Sequence, residues 1–277
     1  PTRIHFGQNK LNELSNLVEK YGQRCLIIGP PMNEAILPMY QNVEKLLDET
    51  GCTFFRFYQI EANPSSNTVD ECLLFAQENQ IDVIVAMGGG STMDVGKMIA
   101  CFYGHKTIDW DTMFATYDFP FSIYPEVAIK RLPLIAITTT SGTGSQCTQA
   151  SVITDQKSKQ KLSIYHQNNF PTEAIVDPVL MMTLPKMMTA STSFDAFTHL
   201  FESYLNDRLP KFMSGMCEQA ISMIVEALPN VLINNSIELR EQLALADTMA
   251  GMCLANGGAH LPHPLSEVIG SFLPRLN

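Results

Sequence analysis

"IDVIVAMGGGSTMDVGKMIA" (residues 81–100) decides the fold. Its first half carries the apolar, strand-forming run "VIVAM" (83–87); its second half places apolar residues at helical spacing. Gly88, Gly89, Gly90 and Ser91 separate the halves, so a strand turns directly into a helix through glycine. A helix opening at Ser91 presents unpaired N–H groups and the positive end of its dipole, which suits a phosphate. A tight structural turn needs the same glycines. The stretch is not a P-loop, because Met98 follows Lys97, and it does not match G-x-G-x-x-G.

On either side the pattern repeats. "CLIIG" (25–29) and "TFFRFYQI" (53–60) have strand character, while "VEKLLDET" (43–50) and "TVDECLLFAQENQ" (68–80) have helical character, the latter with a Thr N-cap signal. "RLPLIAITTTSGTGS" (131–145) is another apolar strand followed by a hydroxyl-rich loop. Alternation of this kind predicts a parallel sheet with ligands at the C-terminal ends of its strands. Near residue 180 the texture changes. The Pro-bounded connector "DPVLMMTLP" (177–185) leads into helical patterns over 191–205, 216–232 and 237–256. The expected architecture is an α/β N-terminal domain with a parallel sheet over residues 1–180, followed by an all-α C-terminal domain over 181–277.

Composition narrows the function classes. The formal net charge of −10 argues against nucleic-acid binding, which depends on Lys and Arg meeting phosphates. The seven cysteines stand singly with no C-x-x-C pair, as expected of reduced thiols in a cytoplasmic protein rather than a disulfide frame. The opening "PTRIHFGQNK" lacks a signal-peptide core, and no apolar run reaches the length that crosses a bilayer, so no membrane partner is expected.

Two further groups carry chemistry. "TTTSGTGSQ" (138–146) offers hydroxyls beyond a buried strand, for a ribose or phosphate or merely for capping its own loop. In "FDAFTHLFESY", Asp195 and His199 are four residues apart on one helix face. A carboxylate and an imidazole so placed can share one divalent cation or simply bond to each other. "NGGAHLPHPLSE" (256–267) adds His260 and His263, and Pro262 and Pro264 argue against a long regular helix through both. The grouping of histidines favours a metal site.

In their order and spacing, "GGGSTMDVGK", "TTTSGTGSQ", "AIVDPVLMMTLP", "DAFTHLFESY" and "GGAHLPHPLSE" resemble the iron-containing (group III) alcohol dehydrogenases. The resemblance runs from residue 25 to the C-terminus. It implies a dinucleotide-binding α/β domain, a helical domain, and a catalytic metal in the cleft between them. Gly89, Gly90, Ser91 and Asp94 then fall on phosphate-loop positions. Thr139, Thr140 and Thr143 match the second cofactor loop, Lys161 a lysine near the cofactor, and Asn63 a position beside the nucleotide. Asp195 and His199 match two metal ligands. His263 matches the third when the register is set by Asn256; an alternative register gives His263 the place of the family's further histidine and leaves His260 or nothing as the ligand. Glu267 stands where the family has a further histidine, and the fourth ligand falls at about Asn277 or beyond, so truncation of the C-terminal domain is expected.

The resemblance implies an NAD- or NADP-linked oxidoreductase with one divalent metal, Fe²⁺ or alternatively Zn²⁺, interconverting a small alcohol and its aldehyde or ketone. It also implies a homo-oligomer, a dimer. The acid that follows the first strand in NAD-selective members is replaced by Gly-Pro-Pro at 29–31, which leaves NADP open. Two rivals stand beside this reading: a lyase of the dehydroquinate synthase type, and a member that binds nucleotide without catalysing a reaction.

Overall fold

A computed structural model describes residues 2–126 and 129–272; Asn277 lies outside the described residues. The elements are β1 (Arg3–Phe6), α1 (Leu14–Tyr21), β2 (Arg24–Ile28), α2 (Leu37–Asp48), β3 (Thr53–Phe57), α3 (Ser66–Glu78), β4 (Val83–Gly88), α4 (Gly90–Phe102), α5 (Trp110–Thr116), β5 (Leu134–Thr138), β6 (Ala150–Thr154), β7 (Lys161–Tyr165), β8 (Glu173–Val176), α6 (Lys186–Leu205), α7 (Ser214–Ile233), α8 (Ile237–Gly257) and α9 (Pro262–Phe272).

Six strands form one parallel sheet in the order β1-β8-β5-β4-β2-β3. The side-chain period of two splits each central strand between two cores. Cys25, Ile27, Val83 and Val85 pack beneath α1 and α2, while Leu26, Ile28, Ile84 and Ala86 pack against α3 and α4. From β2 the chain moves outward to β3, but from β4 it moves the other way to β5. The crevice at the C-terminal ends of β2 and β4 is therefore the topological switch point, where open α/β sheets bind ligands. The Gly88–Ser91 turn sits at that crevice. β6 and β7 form a separate antiparallel hairpin that the sequence pattern did not reveal.

After β8 a 3₁₀ turn over Pro178–Met181 leads into α6, and α6, α7 and α8 bury a common core that includes Leu200, Cys217, Ile224 and Leu243. Two expectations are corrected here. First, α3 is capped by Ser65, whose Oγ accepts from the Thr68 N–H; Thr68 lies inside the helix. Second, the segment Lys211–Ile233 is long and apolar enough to cross a membrane, with mean hydropathy 1.3. One face of it serves the bundle, where Cys217, Ala220, Ile224, Ala227 and Val231 pack against α6 and α8; Phe212, Val225 and Ile233 are exposed, and Glu218 and Glu226 interrupt the run. The expectation for the proline segment holds: α9 begins at Pro262, so no regular helix runs through both His260 and His263. Both prolines lie in its first turn, where a backbone N–H has no partner within the helix anyway.

The two layers meet at the hydroxyl-rich loop. Gly144 has φ +59°, and a Cβ there would lie 2.4 Å from Gly251 Cα on α8. Only glycine at both positions permits that approach.

Candidate active site and metal centre

A cavity of about 270 Å³ opens at the sheet crevice and runs to the helical layer. Asn63, Gly90, Ser91, Asp94, Thr143 and Lys161 line it on the sheet side, six of the expected cofactor residues. Gly89, Thr139 and Thr140 lie just behind: Thr139 N–H donates to the Gly88 carbonyl at 3.0 Å, and a Cβ on Gly89 would meet Thr140 Oγ1 at 3.2 Å. α4 starts at Gly90, so its first N–H groups point at the cavity mouth, as an anion site requires. Asn63 adopts φ +56° and donates its N–H to Ser91 Oγ at 3.2 Å, joining the turn after β3 to the turn after β4. A Cβ on Gly90 would come within 2.9 Å of Thr143 Cγ2, so the two loops are in contact through a missing side chain.

Behind this surface Asp94 and Lys97 form an internal pair 3.6 Å apart. Lys97 is fully buried; its Nζ donates to Ser145 Oγ and the Ala150 carbonyl, each at 2.7 Å. Asp94 accepts from Ser145 Oγ at 3.0 Å and from the Val152 N–H at 3.1 Å. Burial pushes the Asp94 carboxyl up and the Lys97 ammonium down to about 8. The lysine that follows the glycine turn thus ties α4 to the loop and to β6, away from any phosphate.

At the far end of the cavity, Asp195 and His199 on α6 meet His263 on α9. One ligand atom from each lies within 4.8 Å of the others, a spacing that fits one divalent ion. His263 Nε2 is 3.2 Å from Asp195 Oδ1, and the His199 and His263 rings stack at 4.2 Å. The Gly142 carbonyl accepts from His199 Nδ1 at 3.2 Å, which leaves Nε2 directed to the cluster. His260 stands outside the cluster: its backbone N–H donates to Glu202.

The electrostatics follow from three donors without an ion. Burial raises Asp195, but the His199 and His263 imidazoles outweigh it and hold the carboxyl below its ordinary range. Burial holds His199 below its usual value against the pull of Asp195. Burial also opposes protonation of His263, yet Asp195 and Glu202 override it and raise that imidazole to about 9.

Glu202 and Asp247 escaped the sequence reading. Glu202 is buried on α6 and accepts from His263 Nδ1 at 2.6 Å, the outer carboxylate that fixes a ligating imidazole. Its signal was present, since residues 195, 199 and 202 share one helix face. Asp247, fully buried on α8, bonds the 142–146 loop, and burial raises its carboxyl to about 7. Nothing in the local sequence marks it, because its partner loop is a hundred residues away.

Comparison with known proteins agrees with this geometry. Residues 1–178 match the family described as iron-containing alcohol dehydrogenase, and residues 189–274 match the family's C-terminal part. The aldehyde-alcohol dehydrogenase of Streptococcus pneumoniae is 33% identical over 98% of this chain, which spans 31% of that protein's length. The NAD-dependent methanol dehydrogenase of Bacillus methanolicus is 32% identical over 98% of this chain, which covers 69% of it. The crystal structure of an archaeal halo-thermophilic alcohol dehydrogenase from a Red Sea brine pool superposes with a TM-score of 0.90 at 31% identity, over 99% of this chain and 68% of its own.

Proposed function

This chain belongs to the iron-containing alcohol dehydrogenase family, and we propose that it interconverts a small alcohol and its aldehyde or ketone by hydride transfer to and from NAD or NADP. One observation carries the reading: the Asp195–His199–His263 cluster and the Gly90–Ser91 helix start open onto the same cavity. A bound divalent ion supplies Lewis-acid polarisation of a substrate oxygen, and a bound nicotinamide supplies or accepts the hydride.

The chain's own residues do the holding. Asp195, His199 and His263 are the proposed ligands, a set of carboxylate and imidazole donors that takes Fe²⁺, or Zn²⁺ in its place. Glu202 and the Gly142 carbonyl each accept from the outer nitrogen of one imidazole and so present the inner nitrogen to the ion. Gly90, Ser91 and Thr143 form the floor for a pyrophosphate, with Gly89 and Thr140 supporting it; Asn63 and Lys161 close the sides. Thr139 and Asp94 hold the two loops in register from behind. Seven free, buried cysteines support a reducing, cytoplasmic setting, and the family supports a homodimer as the assembly.

The test is a panel of short alcohols and aldehydes, with Fe²⁺ or Zn²⁺ and each nicotinamide cofactor, followed by absorbance of the reduced nicotinamide. Stoichiometric change in that absorbance with substrate supports the proposal. Consumption of substrate with no net change would favour a lyase, and nucleotide binding with no consumption at all would leave a binding protein.

A further inference from the structure

We propose that Asp247 is a positioning residue: it clamps the 142–146 loop to α8 and thereby holds the Gly142 carbonyl where it orients the His199 ring. The proposal rests on the metal-site reading given above. Asp247 contributes no atom to the metal cluster and does not line the cavity; its bonds reach the site through the loop, and its charge also acts on Asp195, an effect that Asp247→Asn removes while keeping the clamp.

Both of its oxygens are spent on that loop. Oδ1 accepts from the Gly144 N–H at 2.9 Å, and Oδ2 accepts from Gln146 Nε2 at 2.9 Å. A fully buried carboxylate is costly without such partners. The Gly144–Gly251 contact brings loop and helix to backbone distance, with no side chain between them to set the register. Asp247 therefore supplies the directional part of the attachment. Two residues before Gly144, the Gly142 carbonyl accepts from His199 Nδ1 at 3.2 Å. A Cβ on Gly142 would lie 2.6 Å from the Thr192 carbonyl on α6, so the loop backbone packs directly against that helix beside the His199 contact. The result is a connected path from α8 through one loop to a ring on α6.

The conservative variant separates a clamp from a charge. In Asp247→Asn the side-chain oxygen still accepts from Gly144. The new amide can donate to Gln146 Oε1, an atom with no other hydrogen-bond partner among the described residues, once the Gln146 amide turns over. Asp247→Ala keeps neither bond.

The experiment uses the intact chain with ¹⁵N-labelled histidine, metal-free, and reads the His199 tautomer by NMR. Titration with Co²⁺ alone then gives affinity and the visible absorption of the bound ion. The parent and Asp247→Asn should show the Nδ1–H tautomer and bind Co²⁺ within about threefold of each other with the same spectrum. Asp247→Ala should show a mixed tautomer, roughly tenfold to hundredfold weaker Co²⁺ binding, as for loss of an outer partner of a ligating imidazole, and an altered spectrum at saturation. If Asp247→Ala does not fold, Gln146→Met removes one bond and should shift the same readouts part of the way. An unchanged His199 tautomer in the folded variant overturns the proposal, as does an Asn variant that behaves like Ala. A parent that shows the tautomer but takes up no Co²⁺ overturns the metal reading instead, and leaves the clamp supported by its own measurement.

Discussion

The two walls of the cavity are built on different principles. The sheet-side wall uses backbone and hydroxyls: a helix start at Gly90, the Asn63–Ser91 bond, and glycines that let the loops touch. Its charged pair, Asp94 and Lys97, is matched internally, with Lys97 fully buried and Asp94 part of the cavity lining. The helix-side wall uses ionisable side chains that crowd one point, with two imidazoles stacked at 4.2 Å and two carboxylates beside them. The first wall is complete without a ligand. In the second, Asp195 and Glu202 raise His263, so the state of that wall depends on pH and metal.

Removing a ligand should expose that difference most strongly. Asp195→Ala and His199→Ala are each expected to weaken metal binding by more than about a hundredfold, beyond the effect of losing an outer partner, and to abolish turnover. Cofactor affinity, read by fluorescence titration of the reduced nicotinamide, should stay within about twofold, since the phosphate wall owes nothing to the ion. A parallel loss of cofactor binding would merge the two walls into one cooperative unit and break the contrast.

Gly90→Val tests the opposite wall. A β-branched side chain must displace Thr143, whose Cγ2 is 2.9 Å from the Cβ position. Overpacking of this kind costs about 1–3 kcal/mol, so nucleotide affinity should fall roughly tenfold or more. Metal stoichiometry should remain that of the parent. Unchanged nucleotide affinity in a folded variant rejects the phosphate assignment of this turn.

These two predictions also mark what the sequence could and could not reveal. The Gly88–Ser91 turn was legible because strand, turn and helix are contiguous and each obeys a local periodicity. Asp195 and His199 were legible for the same reason, being one helical turn apart. His263 needed the resemblance, since its place depends on how the chain folds back after α8. Pro262 and Pro264 were read correctly as a break between His260 and His263: the helix begins at Pro262, where proline fits the first turn. Asp247 was invisible: its role comes from a tertiary contact with Gly144, and a lone Asp in an amphipathic helix reads as a solvated residue.

The third effect depends on pH. His263 is raised to about 9 by Asp195 and Glu202, from an ordinary value of 6.5. A ligating imidazole must be neutral, so metal competes with that proton. Apparent metal affinity should rise about tenfold per pH unit between roughly 6.5 and 9, then level off, as titration calorimetry would show. The sign for folding of the metal-free protein is opposite. A folded pKa above the unfolded one gives stability that is fully present below about 6.5 and is lost as pH rises through about 9. Glu202→Gln should move the upper bend of both curves to lower pH, with Asp195 still raising His263, while leaving the sheet-side wall untouched. A bend that does not move would assign the titration to another group.

The smallest effect concerns the choice of cofactor, and it belongs to the sheet-side wall alone. β2 ends at Ile28, and Gly29 and Pro30 follow where an acid would meet the ribose hydroxyls of NAD. Tyr40 occupies this corner: its hydroxyl donates to the Pro30 carbonyl at 2.7 Å, so the turn is fixed by a neutral bond. With no carboxylate there to repel a 2′-phosphate, NADPH and NADH should bind within about tenfold of each other, a gap of no more than roughly 1.4 kcal/mol. Pro30→Asp restores the missing charge and should move the ratio toward NADH by roughly tenfold, in paired titrations at fixed ionic strength. Salt sharpens the result. Repulsion between two charges weakens as the Debye length shrinks, so the ratio in Pro30→Asp should relax at high salt while the parent's stays level. A parent that already prefers NADH by much more than tenfold would place the discriminating group elsewhere on this wall, and the metal wall would be unaffected either way.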